Sequence, residues 1–332
     1  MAAIVRACTS STSLKNTGTG SNLFPAATAM IFVCSPRKKF TLQDLNSPDI
    51  VTKFTEWIHA DGEEKVYPLF GNQIPISGNT NTKGTDNTVT LDDGNIIFVS
   101  YTQTQKLFST TDGGLCFAKV LMSFNNAPMA VIEVDIKGNI VVKDNHDGTY
   151  SGLKATLFSP AIDFADLKNP AKSYFQLGYM PDYYVNNAAL LQDGKPLLDL
   201  TGLMDISIQD AGGSTSTKLN IKIIDNCCGD DITSEWGQAL ADADDFEVKG
   251  PNGVVVPVTS STYDDVGNTV GLAGAFAVTT TYSVGSAKPS QLFADGVEGV
   301  EVGSGNVLTG ATELAEEPAE EDAEENPDEG IS

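Results

Sequence analysis

The sequence predicts a mainly β protein: a β-sandwich or barrel with one or two flanking α-helices, then a small C-terminal β-rich domain and a disordered acidic tail. Three observations support this fold class. The 332 residues include 31 glycines, and Thr, Ser and Asn are abundant, which is typical of a chain with many turns. Several segments alternate apolar and polar residues, as half-buried strands do. Long amphipathic helical patterns are scarce.

Composition divides the chain into four parts. Residues 1–24 are small and polar and are expected to form a flexible N-terminal arm. Residues 25–226 are expected to form a barrel-forming body, interrupted by a long Gly/Asn/Thr-rich loop at 71–94. Residues 227–310 contain short strands with strong turn residues, which indicates a small β-sandwich-like domain. Residues 311–332 hold ten acidic and no basic residues and are expected to be disordered.

The stretch from Thr90 to Val142 is the centre of the predicted body. Residues 96–109 indicate one long strand whose second half is polar on both faces, and residues 115–124 have helical spacing of apolar side chains. Residues 129–136 alternate, so one face is predicted to join the core while the other carries Glu133 and Asp135.

A second helix is predicted from Ser47-Pro48-Asp49, with proline at its first position. Phe54 and Trp57 follow at helical spacing, and we expect this aromatic stripe to face the core.

The charge balance argues against a nucleic-acid binder. The chain has 44 acidic and 20 basic residues, a net charge of −24, and acid of this kind repels phosphate. No stretch reaches the roughly 18 apolar residues that a membrane-spanning helix needs, and no clear export signal is found.

The five cysteines show no framework spacing, and the adjacent Cys227 and Cys228 would bridge each other only with strain. We therefore expect a protein made in a reducing cytoplasm.

Motifs with catalytic or metal-binding chemistry are largely missing from the sequence. The turn at 144–148 resembles a calcium loop, but Ala155 stands where the acidic twelfth ligand belongs, so a β-turn is the better interpretation. The two cysteines at 227–228 lack the gap that lets both sulfurs reach one ion. There is no phosphate-binding glycine loop and no nucleophile elbow. We therefore predict no enzyme, no catalytic residue, no cofactor and no metal.

The order of residues in the central stretch resembles virion proteins, specifically the tail tube (major tail) proteins of long-tailed bacteriophages that infect Bacteroidetes. The residues that carry the resemblance are Asp92-Asp93-Gly94, Phe98, Ser100-Tyr101, Phe108, Gly113-Gly114, Cys116, Lys119, Leu121, Ser123-Phe124-Asn125 and Lys137-Gly138-Asn139-Ile140. The resemblance covers residues 65–224, and residues 289–301 resemble a small domain that some of these proteins append.

The resemblance implies a subunit of stacked hexameric rings that enclose a DNA conduit. Its expected partners are further copies of itself and other virion tail proteins, assembled into the virion in the host cytoplasm, with genome DNA passing without specific binding. A negative lumen would let the phosphates slide. The lumen-facing candidates are Glu133, Asp135, Ser100, Thr102 and Thr104. The candidates for contacts between subunits are Thr80, Asn81, Thr82, Lys83, Thr85 and Asp86.

Two other functions remain open. A head decoration or minor capsid protein would share the β-rich body, the polar arm and the lack of an active site. A carbohydrate-binding or glycosidase-like protein needs only a few aromatics and two carboxylates. Its aromatic candidates are Tyr179, Tyr183, Tyr184 and Trp236, although such residues more often pack in a core.

Overall fold

The structure is a computed structural model that describes residues 4–8, 25–82, 86–101, 104–160, 162–179 and 187–310. Among the described residues, strands hold 40% and helices 17%, which confirms the mainly β prediction. The strands are β1 (Ala7–Cys8), β2 (Thr28–Cys34), β3 (Lys39–Phe40), β4 (Val66–Pro68), β5 (Gly78–Thr82), β6 (Asp86–Thr90), β7 (Ile96–Tyr101), β8 (Thr104–Thr110), β9 (Ala130–Asp135), β10 (Ile140–Asp144), β11 (Tyr150–Ser151), β12 (Leu153–Lys154), β13 (Thr156–Phe158), β14 (Ser173–Tyr179), β15 (Ala188–Leu191), β16 (Ile206–Asp210), β17 (Lys218–Asp225), β18 (Phe246–Lys249), β19 (Val255–Val256), β20 (Val258–Asp264), β21 (Thr269–Gly274), β22 (Thr281–Ser286) and β23 (Ser304–Leu308). The helices are α1 (Leu42–Leu45), α2 (Ile50–Ile58), α3 (Gly114–Ser123), α4 (Thr233–Trp236) and α5 (Pro289–Ala294).

The described residues form two compact units that differ from the predicted domains. The first unit runs to residue 206 and includes 225–229 and 288–302, while the second comprises 207–224, 230–287 and 303–310. The hairpin β16–β17 was predicted to belong to the body, yet β17 pairs with β21 of the second unit, with Leu219 opposite Leu272. Because that partner strand comes about fifty residues later, no local pattern indicates the pairing.

The first unit is built on a nine-stranded sheet in the order β1-β15-β10-β9-β2-β4, to which the short strands β3, β11 and β12 are joined. The middle strand β9 is buried along its whole length. Ile132 and Val134 face one core and Val131 faces the other. The prediction that one face of this strand carries surface acid is therefore wrong, because the sheet has an apolar layer on each side.

Helix α2 covers one face of the central sheet. It begins after Asp49, whose side chain accepts a hydrogen bond from the Thr52 amide at 2.9 Å, so Asp49 is the N-cap and Pro48 precedes the helix. Phe54 lies 4.7 Å from Phe32 of the sheet, ring centre to ring centre. The predicted helix and its buried aromatic stripe are confirmed, with Ile50 rather than Pro48 as the first residue.

The opposite face of the central sheet packs against α3 and a four-stranded sheet in the order β13-β14-β8-β5. Helix α3 confirms the helix predicted at 115–124. It begins after Gly113, which has φ +82° and where a Cβ would meet the Phe117 side chain at 2.6 Å. The single strand predicted at 96–109 is instead two strands, β7 and β8, which belong to different sheets.

The second unit contains two four-stranded antiparallel sheets, β16-β17-β21-β20 and β19-β18-β22-β23. Their alternate residues, such as Ile221 and Val284, are fully buried, as expected for a small sandwich. The edges β16 and β23 come very close at Gly305, where a Cβ would lie 1.6 Å from the Ile208 carbonyl oxygen. Only glycine fits this position.

A disulfide joins Cys116 of α3 to Cys227. The sequence did not indicate this pair, because the two cysteines are 111 residues apart and have no characteristic spacing. The Sγ atom of Cys228 lies 3.8 Å from that of Cys116. Cys34 is buried, and burial raises the pKa of its thiol to about 12, which keeps it protonated.

Candidate assembly surface

The described residues between 78 and 110 form one long β-hairpin, which takes in most of the predicted loop 71–94 and the predicted strand 96–109. Strand β5 pairs with β8, with Thr80 opposite Leu107, and β6 pairs with β7, with Val89 opposite Ile97. We call β5, β6, β7, β8 and the turn between β6 and β7 the arm. Residues 83–85 and 102–103 lie outside the described residues.

The arm turns at residues 91–95. The Leu91 amide donates to the Asn95 carbonyl at 2.7 Å, and the Asp93 carboxylate accepts from both the backbone and the side-chain amide of Asn95. These hydrogen bonds lower the pKa of Asp93 below its usual value. Gly94 has φ +84°, a conformation that favours glycine. The turn is thus specified by local sequence.

The outer half of the arm is apolar and exposed. Strands β6 and β7 form a separate two-stranded sheet, and among the described residues no third strand pairs with them. Their length of about six residues corresponds to roughly 20 Å. Five apolar residues are between 41% and 69% exposed: Val89, Leu91, Ile96, Ile97 and Val99. A two-stranded hairpin is marginally stable alone in water, so this half has the properties of a surface that another chain covers.

The inner half of the arm is joined to the central sheet by a buried ion pair. Lys106 of β8 donates to Glu133 of β9 at 2.8 and 2.9 Å. The Glu133 carboxylate also accepts from the Tyr179 hydroxyl at 2.7 Å and the Thr28 hydroxyl at 2.6 Å. Every carboxylate oxygen therefore has partners, which is what a buried charge requires.

Glu133 and Asp135 were predicted to face a lumen, and the structure places both inside the unit, each 1% exposed. A side chain that is buried within one subunit cannot line a channel between subunits, so both are removed from the lumen candidates. The physical reason is that the second apolar layer covers the face that the alternation left polar.

Asp135 organises the turn that joins β9 to β10. Its carboxylate accepts hydrogen bonds from the amides of Ala26, Lys137 and Asn139 and from the Asn139 side chain, all at 2.8 Å. Burial alone would raise the pKa of Asp135, but these four donors outweigh it and lower the pKa below its usual value.

We expect Asp135 to make the protein acid-sensitive. A lowered folded-state pKa contributes stability that is present above the unfolded-state pKa of about 4 and is lost as the pH falls through the folded-state value. In urea unfolding from pH 7 to pH 3, the stability difference between wild type and Asp135→Asn should shrink below about pH 4. Asp265→Asn, at an exposed carboxylate, is the control and should change the stability little. A pH-independent gap for Asp135→Asn would contradict the assignment.

The remaining candidates of the sequence prediction mostly lie on the arm. Thr80, Asn81 and Thr82 are exposed residues of β5, and Asp86 is the first residue of β6. Ser100 lies in β7 and Thr104 begins β8. Thr102, Lys83 and Thr85 lie outside the described residues. The structure thus brings the four described contact candidates, Thr80, Asn81, Thr82 and Asp86, together on one hairpin. The sequence analysis missed Lys106, whose ion pair holds the base of this hairpin.

The features considered for chemistry have structural explanations. The turn predicted at 144–148 is present. In it the Asp147 carboxylate accepts from the hydroxyl and the amide of Thr149, and these bonds lower the pKa of Asp147 to about 2. Within the described ranges no three metal-binding side chains come together.

Two of the four aromatic residues proposed for a carbohydrate site lie in the part of the chain that the structure describes. Tyr179 is buried and its hydroxyl binds Glu133, while Trp236 belongs to the second unit. Tyr183 and Tyr184 lie outside the described residues.

Comparison with known proteins adds no family assignment. None of the helices in the described residues has the length and apolar composition to cross a membrane. No protein-family model matches the chain, and no curated protein sequence matches it significantly.

Proposed function

We propose that the protein is a self-assembling structural subunit of a virion, the tail tube subunit of a long-tailed bacteriophage, whose copies associate through the arm. The observation that carries the proposal is the exposed apolar outer half of the arm. The ring symmetry and the DNA conduit rest on the sequence resemblance alone.

The energetics of the arm favour association. Full burial of a Val, Leu or Ile side chain is worth about 1.5–3 kcal/mol, and the five apolar residues of β6, β7 and their turn are only partly covered. The edges of a two-stranded sheet also offer backbone donors and acceptors to a neighbouring strand. A partner that pairs with this sheet would bury both.

The subunit has a second exposed apolar patch on the outer face of α3. Leu115 and Met122, seven residues apart and therefore on the same side of the helix, are 64% and 47% exposed. Two different apolar patches on one subunit allow head-to-tail contacts, which produce rings or stacked assemblies rather than closed dimers.

The proposed conduit needs negative charge that does not come from Glu133 or Asp135. Surface carboxylates would supply it, and Asp92 and Asp93 at the arm turn are exposed examples. With a net charge of −24, the chain would repel passing DNA rather than bind it.

The arm proposal is tested with a double substitution, Val89→Asp with Ile97→Asp, which puts two charges opposite each other on one face of the outer arm. Val266→Asp, at a 93% exposed valine of the second unit, is the matched control. By negative-stain electron microscopy at high concentration, we expect hollow tubes or six-fold rings from the wild type and the control. The arm variant should remain folded by circular dichroism and sediment as a monomer.

Two results would contradict the proposal. An arm variant that assembles like the wild type would show that the arm is not the contact, and a wild type that stays monomeric at every concentration would remove self-assembly itself. Wild-type trimers or pentamers would favour a head decoration protein instead.

A further inference from the structure

The N-terminal residues 4–8 occupy an edge of the central sheet. Strand β1 pairs with β15, with Ala7 opposite Leu191 and Cys8 opposite Leu190, and the Gln192 amide donates to the Arg6 carbonyl at 2.8 Å. This segment forms the outermost strand of the sheet on that side.

Val5 fixes the position of β1 at this edge of the sheet. Its side chain is 2% exposed and belongs to the core beneath α2. The Asn46 side chain binds both backbone polar groups of Val5: its Oδ1 accepts from the Val5 amide at 2.7 Å and its Nδ2 donates to the Val5 carbonyl at 3.3 Å. Ile4, immediately before it, is 63% exposed. The β15 edge and Asn46 therefore bind a short extended segment through one buried side chain and a few backbone groups, as in strand-addition binding.

The connection from Cys8 to Pro25 is longer than the distance that it must span when β1 pairs with β15 of the same chain. Strand register runs from Cys8 through Leu190, Val141 and Glu133 to Ile31, so Cys8 lies four strands, about 19 Å, from β2. Pro25 precedes Ile31 by six residues, about 20 Å along the strand, which gives a separation of roughly 28 Å. Seventeen residue steps can span up to about 55 Å.

We propose that the β15 edge is a strand-acceptor site that binds residues 4–8 of a second copy of this chain, so that each subunit passes its N-terminal strand to a neighbour. The exchanged strand makes the same contacts as the intramolecular one, so the choice depends on local subunit concentration. The roughly twofold excess of linker length lets the strand reach a neighbouring edge. This site is separate from the arm, and strand exchange does not require the tail tube proposal to hold.

The acceptor site is tested first in trans. A chain lacking residues 2–8 is titrated against a fluorescent peptide of residues 1–10 with Cys8→Ser, and binding is followed by anisotropy. We expect saturable binding by the truncated chain, at least tenfold weaker binding by the full-length chain, whose edge is occupied, and none by a Val5→Asp peptide. If a folded truncated chain does not bind the peptide, or if the Val5→Asp peptide binds equally well, the acceptor site is refuted.

Exchange itself is tested in the full-length chain, which does not depend on the truncated form folding. Leu190→Cys places a thiol opposite Cys8, in a background of Cys228→Ser. After oxidation at high protein concentration, exchange predicts reducible covalent multimers whose yield rises with concentration, and the same chain with Cys8→Ser should give none. Cross-linking that stays within the monomer at every concentration would overturn the exchange.

Discussion

Replacing Lys106 with methionine is expected to lower the free energy of unfolding by about 3–5 kcal/mol, because it leaves the Glu133 carboxylate buried without its cation. The two hydroxyl donors, Tyr179 and Thr28, remain but do not neutralise the charge. Urea unfolding followed by circular dichroism measures the loss. Since Lys106 lies at the base of the arm, the variant should also show faster amide exchange in β8 and β5.

The chain provides a matched control in Lys249, which pairs with Glu247 at the surface. Lys249→Met removes the same kind of ion pair where both side chains are about half exposed, and it should cost less than about 1 kcal/mol. The double variant Lys106→Met/Glu133→Gln should be more stable than Lys106→Met alone, because no unpaired charge remains. Additive losses in the double variant, or a Lys106→Met loss no larger than the control, would contradict the role given to this pair.

Removing the disulfide is the second change with a large expected effect. Cys116→Ser should lower the free energy of unfolding under oxidising conditions by about 4–5 kcal/mol, the chain-entropy value for a loop of roughly 100 residues. The comparison is urea unfolding of wild type and variant with and without reductant. In reductant the two should unfold at similar urea concentrations.

Cys228 makes the single and double substitutions at 227–228 informative. Its sulfur lies 3.8 Å from that of Cys116, so Cys227→Ser should bridge through Cys228 and keep most of the stability. The double variant Cys227→Ser/Cys228→Ser should match Cys116→Ser. Peptide mapping of the oxidised Cys227→Ser chain identifies the bridge. A Cys227→Ser chain without any Cys116–Cys228 link would contradict this exchange of partners.

The sequence predicted local elements better than pairings between them. Helix α2 was predicted from the start signal Ser47-Pro48-Asp49 and its aromatic stripe, and α3 from its apolar spacing, because these signals lie within a dozen residues. The long hairpin was divided into a loop and a strand, since its first side, β5 and β6, is rich in Gly, Asn and Thr, whereas its second side, β7 and β8, holds most of its β-branched and aromatic residues. Its pairing became visible only in the register of β5 with β8 and β6 with β7.

The assignment of Glu133 and Asp135 to a lumen shows where alternation is insufficient. A polar face in a strand indicates that polar partners are present, and it does not say whether those partners are water or buried side chains. Here the partners of Glu133 come from β2, β8 and β14, each distant in sequence. The placement of Val5 in the core was missed for a similar reason, because one valine in the polar N-terminal segment of residues 1–24 gives no periodic signal.

The path of the chain between its two units limits how recombination between related genes can exchange those units. The chain passes from one unit to the other after residues 206, 224, 229, 287 and 302. A single genetic crossover therefore cannot transfer the second unit intact: a junction at residue 226, for example, would separate β17 from β21 and expose Leu219 and Ile221, both fully buried here. The second unit can diversify in its surface turns, but it can be replaced only together with the strands that the first part of the chain supplies.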